Sequence, residues 1–164
     1  MKYDALIFDI DGVLIDTSKS FDNAVIKAIS IFTGTNIFSI KELRNLRAVG
    51  GFNNDWHAAI AGAAWINFAD YLSFSEYLQL CKKSKKGIEG VRKQFPELKE
   101  SFEQKITQIV KEAYGGKTAC EKLYGFKPSM LSENGLWKSE VTMIDLDFIK
   151  KYKEIIGIFT GRNH

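Results

Sequence analysis

The apolar positions of this chain form two short continuous runs, separated by a long stretch of helical periodicity. The first run is Ala5-Leu6-Ile7-Phe8 and the second is Ile155-Ile156-Gly157-Ile158-Phe159. Runs without polar alternation predict strands covered on both faces in a parallel sheet. Between them, Phe21, Ala24, Val25, Ala28, Ile29 and Phe32 recur three and four apart. They predict a helix, with Thr17 or Ser18 as N-cap and Gly34 as its stop. Ser39-Ile40-Lys41-Glu42 has the form of a capping box opening a short helix through Leu43 and Leu46. Asp55 is expected to cap a helix from Trp56 to Asn67. Ser73-Phe74-Ser75-Glu76 is a second capping box, ahead of Tyr77, Leu78 and Cys81. Phe102, Ile106, Ile109, Val110 and Ala113 form a further stripe that Gly115-Gly116 is expected to close. Asp145 is expected to cap a last helix through Leu146, Ile149 and Tyr152, leading into the second run.

The two runs bracket an insertion over residues 16–144 that is helical in pattern. An ordinary connection between strand and helix has about 2–6 residues. The expected organisation is therefore α/β, with a core from residues 1–15 and 145–164 and a helical cap from 16–144.

Composition adds exclusions. The 164 residues are 45% hydrophobic and 26% charged, a globular balance rather than a disordered one. The net charge of +3 is too mild to argue for a nucleic-acid partner. No apolar run is long enough to span a membrane, so no membrane association is expected. Asp4, Asp9 and Asp11 interrupt any signal-peptide core after Lys2. Cys81 and Cys120 lack metal-site spacing and are expected to be reduced buried thiols, which with the missing leader predicts a cytoplasmic chain.

Candidate chemistry lies where the two runs end. In open α/β sheets ligands bind beyond the carboxyl ends of the strands. The first run ends in Asp9-Ile10-Asp11-Gly12 and the second in Thr160-Gly161-Arg162. Alternate residues of an extended chain point to opposite sides, so Asp9 and Asp11 can share one side while Ile10 packs the other way. One carboxylate can attack a phosphorus and the other can move the proton. On this reading Asp9 is the nucleophile and forms an aspartyl-phosphate. Asp11 protonates the leaving alcohol and then activates the hydrolytic water. Mg²⁺ favours oxygen ligands, which an Asp9 carboxylate oxygen and the Asp11 carbonyl supply. Gly12 allows close backbone approach to the phosphate. Thr160 can donate its hydroxyl to a phosphoryl oxygen, with the Gly161 amide beside it.

Asp9-Ile10-Asp11-Gly12-Val13-Leu14 resembles the first motif of the haloacid dehalogenase (HAD) superfamily, and Ile158-Phe159-Thr160-Gly161-Arg162 resembles its second. A helical insertion between the two resembles subfamily I. The segments Val49-Gly50-Gly51-Phe52-Asn53-Asn54-Asp55-Trp56 and Gly135-Leu136-Trp137 resemble a subfamily IA branch sometimes fused to histidinol-phosphate aminotransferase. The resemblance implies a Rossmann-like core with a mobile helical cap and Mg²⁺-dependent hydrolysis of a small phosphorylated metabolite. An acid at position 11 favours a phosphatase or phosphomutase over a dehalogenase, because halide leaves without protonation.

The resemblance also implies a later lysine that neutralises phosphate charge and an acidic pair that completes the metal site. These 164 residues contain neither motif after Thr160. The expectation is an incomplete core made of its N-terminal strands, from a truncated chain with little activity alone. The alternatives are a non-catalytic binding or assembly chain, a split enzyme completed by a C-terminal polypeptide, and completion by a homodimer. Several residues carry two readings. Asn53, Asn54 and Asp55 either cap a helix or select substrate. Arg47 either anchors an anionic substrate or is a surface arginine, and Arg162 meets either substrate or solvent. Asp16 is expected at a helix N-terminus, and Trp56 in the interior.

Overall fold

The computed structural model describes residues 5–84, 87–152 and 156–160. The fold is mixed α/β and helix-rich, with two small sheets. Strand β1 (Leu6–Phe8) leads through a turn into β2 (Ile15–Asp16). Helices α1 (Phe21–Thr33), α2 (Ile40–Val49), α3 (Asp55–Phe68), α4 (Phe74–Ser84), α5 (Ile88–Gln94) and α6 (Glu100–Tyr124) follow. The chain returns through a 3-10 turn (Leu136–Ser139), β3 (Val141–Thr142), α7 (Leu146–Tyr152) and β4 (Ile156–Ile158). β1 pairs parallel with β4, with Leu6 opposite Ile156 and Phe8 opposite Ile158. β2 pairs antiparallel with β3, with Ile15 opposite Thr142.

One apolar core runs through the helices. Val25, Ala28 and Ile29 of α1, Leu43 and Leu46 of α2, and Ile106, Ile109 and Val110 of α6 are all buried in it. Helix α3 is buried on every side over residues 58–64, because its alanines and Gly62 let neighbours approach its axis. A methyl group at Gly62 would stand 2.6 Å from Ile29 Cδ1. The buried Tyr77 hydroxyl is matched, donating to the Ala61 carbonyl at 2.8 Å.

Neither β1 nor β4 contributes to that core. Coverage on both faces was expected of them, yet Ile7 is 72% exposed, Ile158 60% and Phe159 76%. Among the described residues these strands hydrogen-bond only to each other.

Several helix ends match their expected signals. Gly34 closes α1 with a left-handed φ of 74°, Ser39 and Glu42 form the capping box of α2, and Ser73 and Glu76 exchange the equivalent bonds before α4. The Asp145 carboxylate accepts from the Asp147 amide at 2.8 Å, at the start of α7. Others differ. Ser20, not Thr17 or Ser18, is the N-cap of α1. Asn54, not Asp55, caps α3, accepting from the Trp56 and His57 amides. Asp16 lies in β2 rather than at a helix start. Gly115-Gly116 interrupts the helix as expected: Gly116 is non-helical (φ 57°, ψ −170°), and a second helical segment continues from there to Tyr124.

Candidate functional site

The parallel register places the two candidate motifs side by side. Because Phe8 is opposite Ile158, Asp9 and Thr160 follow the same end of the strand pair. The Phe159 amide extends the pairing by donating to the Phe8 carbonyl at 2.9 Å. Asp9 is exposed, and its Oδ1 accepts from the Ile10 amide at 2.7 Å. Thr160 is half-buried. Gly161 and Arg162, the other residues expected at this end, lie outside the described residues.

Residues 10–15 fold into a closed turn. The Leu14 and Ile15 amides donate to the Ile10 carbonyl at 2.9 and 3.0 Å. The Gly12 amide donates to the Ile15 carbonyl at 2.8 Å, and Gly12 adopts a φ of 75°. That conformation disfavours a side chain, so what Gly12 supplies here is the turn itself. β3 braces the turn from outside, with the Met143 amide donating to the Leu14 carbonyl at 2.8 Å.

This turn delivers Asp11 into a cleft of about 550 Å³ between the strand end and the helices. Arg47, Asn53, Asn54 and Asp55, from α2, the following loop and the start of α3, line its far wall. Residues read separately along the sequence are thus brought to one space with Asp11. Asp9 and Thr160 are not among the residues lining it.

Arg47 ties the wall together. One terminal nitrogen lies 2.6 Å from an Asp22 oxygen on α1, and the other lies 2.6 Å from an Asp55 oxygen on α3. It is half-buried, and its Nε is buried without a hydrogen-bond partner. Burial raises the Asp55 carboxyl above its ordinary range; Arg47 pulls it back, while Asp22 and Asp11 add to the rise. The influence of Asp11 on Asp55 joins the strand-end turn and the helical wall electrostatically.

Sequence reasoning missed Asp22, Tyr114 and Tyr124 as cleft residues and assigned Trp56 to the interior; all four line the cleft. Asp22 offers only the weak signal of an acid in a helix first turn, and the tyrosines sit on α6, far along the chain. A larger groove of about 810 Å³ runs along α6 past Arg92, Glu103, Lys111 and Lys127, but holds none of the expected site residues.

Among the described residues no group of three or more His, Cys, Asp or Glu is placed to hold a metal. Mg²⁺ is commonly held by one or two carboxylates, with water and substrate phosphate completing the shell. Asp9 and Asp11 fit that donor chemistry as a partial set. Among the described residues no helix is long and apolar enough to cross a membrane.

No family model matches the chain, and no curated protein matches it. A solved structure does. The chain is similar to a phosphatase. Over 96% of its length it shares the fold of phosphatase Tt82 from Thermococcus thioreducens, with a TM-score of 0.70 and 25% sequence identity. It spans 62% of the length of that protein.

Proposed function

We propose that the chain carries the nucleophile end and the helical cap of a HAD-type phosphomonoester hydrolase. Its residues 1–15 and 145–164 belong to a Rossmann-like core, and 16–144 form the cap. The observation that carries this reading is the register of β1 and β4, which brings Asp9 and Thr160 to one end of a parallel pair while the adjoining turn sends Asp11 into the cleft. The fold shared with a phosphatase supports it.

On this reading Asp9 attacks the phosphorus of a small phosphorylated metabolite. Asp11 gives a proton to the departing alcohol oxygen and then takes one from the water that cleaves the aspartyl-phosphate. Thr160 donates its hydroxyl to a phosphoryl oxygen, and Gly161 and Arg162 are proposed as further contacts to phosphate and substrate. Asn54 and Arg47 belong to the substrate side through the wall they build. Asp9 and the Asp11 carbonyl would hold Mg²⁺, which would supply charge neutralisation at the phosphate. Transfer to a second alcohol, as in a mutase, would use the same groups.

The test is Mg²⁺-dependent release of p-nitrophenol from p-nitrophenyl phosphate. Slow turnover is expected, lost in Asp9→Asn and reduced about a hundredfold in Asp11→Asn. Hydrolysis that survives Asp9→Asn contradicts the reading. A second reading, favoured by the exposed Ile7, Ile158 and Phe159, makes full activity depend on a further segment or polypeptide that covers the strand pair.

A further inference from the structure

Glu140 stands between the 3-10 turn and β3 and does not itself line the cleft, yet its bonds lead into it. Its Oε1 accepts from the Tyr114 hydroxyl and from the Ser20 hydroxyl, each at 2.9 Å. The Ser20 hydroxyl also lies 3.0 Å from the Thr17 carbonyl. Both bonds of Glu140 converge on Phe21. Ser20 is fully buried and is the N-cap of α1, immediately ahead of Phe21. The Tyr114 ring stacks on the Phe21 ring, with centroids 4.0 Å apart and planes 13° from parallel. Tyr114 is buried and Phe21 half-buried, so Phe21 offers the larger open surface of the two rings. Glu140 also adjoins β3, which pairs with β2 and braces the turn carrying Asp11. The Ser139 hydroxyl, 2.9 Å from the Lys19 carbonyl, joins the same two passages of chain. One side chain therefore ties the Phe21 ring to the segment that fixes Asp11.

We infer that Glu140 is a positioning residue, which sets the Phe21 ring as the face on which the organic part of the substrate packs beside Asp11. The substrate role rests on the phosphatase reading; the hold of Glu140 on Phe21 does not. Ordering a loose side chain at the moment of binding weakens affinity, and a ring already fixed by its neighbours avoids that loss. Phe21, Trp56 and Leu123 line the cleft with apolar surface, whereas Arg47 directs both terminal nitrogens to Asp22 and Asp55. The substrate class is therefore a phosphomonoester whose alcohol part has an apolar, ring-sized face. The cleft volume suits a small organic molecule.

Calorimetric titration of the full chain with Mg²⁺ tests this with two probes whose carbon–phosphorus bond resists hydrolysis, phenylphosphonate and methylphosphonate. Phenylphosphonate is expected to bind about tenfold more tightly, and Phe21→Ala should remove that preference. Glu140→Ala should weaken phenylphosphonate about fivefold and leave methylphosphonate unchanged, and Glu140→Gln, which keeps the accepting oxygen, should restore it. Tyr114→Phe keeps the ring but not its bond to Glu140, should show the same selective loss, and keeps the test open if Glu140→Ala does not fold. Equal binding of the two probes overturns the inference, as does no detectable phenylphosphonate binding. Equal loss of both probes in Glu140→Ala and Tyr114→Phe marks a merely structural role and overturns it too. Turnover of p-nitrophenyl phosphate then separates the two claims. Phenylphosphonate binding that follows Glu140, without hydrolysis of the ester, upholds the positioning role and defeats the enzyme reading. Hydrolysis with phenylphosphonate binding indifferent to Glu140 and Tyr114 upholds the enzyme reading and defeats the inference.

Discussion

At the scale of single residues, Glu112 shows how a buried charge is kept. It is fully buried on α6, and its carboxylate accepts from the Ser129, Met130 and Leu131 amides at 3.0, 2.7 and 2.9 Å and from Gln108 at 2.9 Å. Burial pushes its carboxyl upward, but the bonds from Ser129, Gln108, Met130 and Leu131 outweigh it and leave it below the ordinary glutamate value. A carboxyl lowered by folding stabilises at pH above its unfolded value, and that stabilisation is lost as pH falls through the folded value. Chemical denaturation should therefore show stability declining below about pH 4.5, and the decline should be shallower in Glu112→Gln. Glu112→Ala strands the three amides and should cost about 3 kcal/mol or more at neutral pH. The sequence contains no local cue for this role. Glu112 interrupts an apolar stripe as any surface acid would, and its backbone partners, the amides of residues 129–131, lie beyond the end of α6. Asn54 and Asp55 teach the same lesson at close range. Either can cap a helix, and the choice is made by Arg47, which takes Asp55 and leaves Asn54 for the amides.

At the scale of elements, legibility follows locality. Gly34, Ser39, Ser73 and Asp145 act on neighbours within four residues, and their signals were readable. Gly115-Gly116 reads as a helix stop, and Gly116 does break the helical backbone. Here the cause is tertiary: the chain at Asn134 bridges to Gly116, and the Lys117 amide donates to the Glu133 carbonyl at 3.1 Å. Gly135 packs so closely that a methyl group on it would stand 2.3 Å from the Gly115 carbonyl group. Gly135→Ala should therefore cost about 3 kcal/mol or more by thermal or denaturant unfolding. Gly125→Ala, at the left-handed C-cap of α6 with open space around it, should cost about 1 kcal/mol. Comparable losses at the two sites would contradict close packing as the cause of the kink. The two-residue strands β2 and β3 and the seven-residue α5 carry too little pattern to be read in advance.

At the scale of the whole molecule, the helices hold one core and the strand pair stands outside it, with Ile7, Ile158 and Phe159 exposed. Ile7 is opposite Gly157 and Ile158 opposite Phe8, so exposed apolar groups stand on both faces of the pair, and such groups favour association. Phe159→Ser should lower concentration-dependent self-association in light scattering and reduce binding of a hydrophobic dye. Its unfolding free energy should change by no more than about 0.5 kcal/mol, because the ring is already in solvent. An unchanged association state would show that Phe159 plays no part in it. The same layout explains how much of the site was legible. Asp9, Asp11 and Thr160 follow strands, and strand ends can be read from a run of apolar residues. The wall was legible only in part, through Arg47 and Asn53 to Asp55; Asp22, Tyr114 and Tyr124 join it only when α1 and α6 pack.

The central claim is that Asp9 is a phosphate-accepting nucleophile. Beryllofluoride mimics a phosphoryl group on a carboxylate, so fluorine NMR of the chain with Mg²⁺ and beryllofluoride tests the claim without requiring turnover. The account predicts a bound fluorine resonance that disappears in Asp9→Asn and persists in Asp11→Asn. No bound resonance in the wild-type chain, or one that Asp9→Asn leaves unchanged, would contradict it.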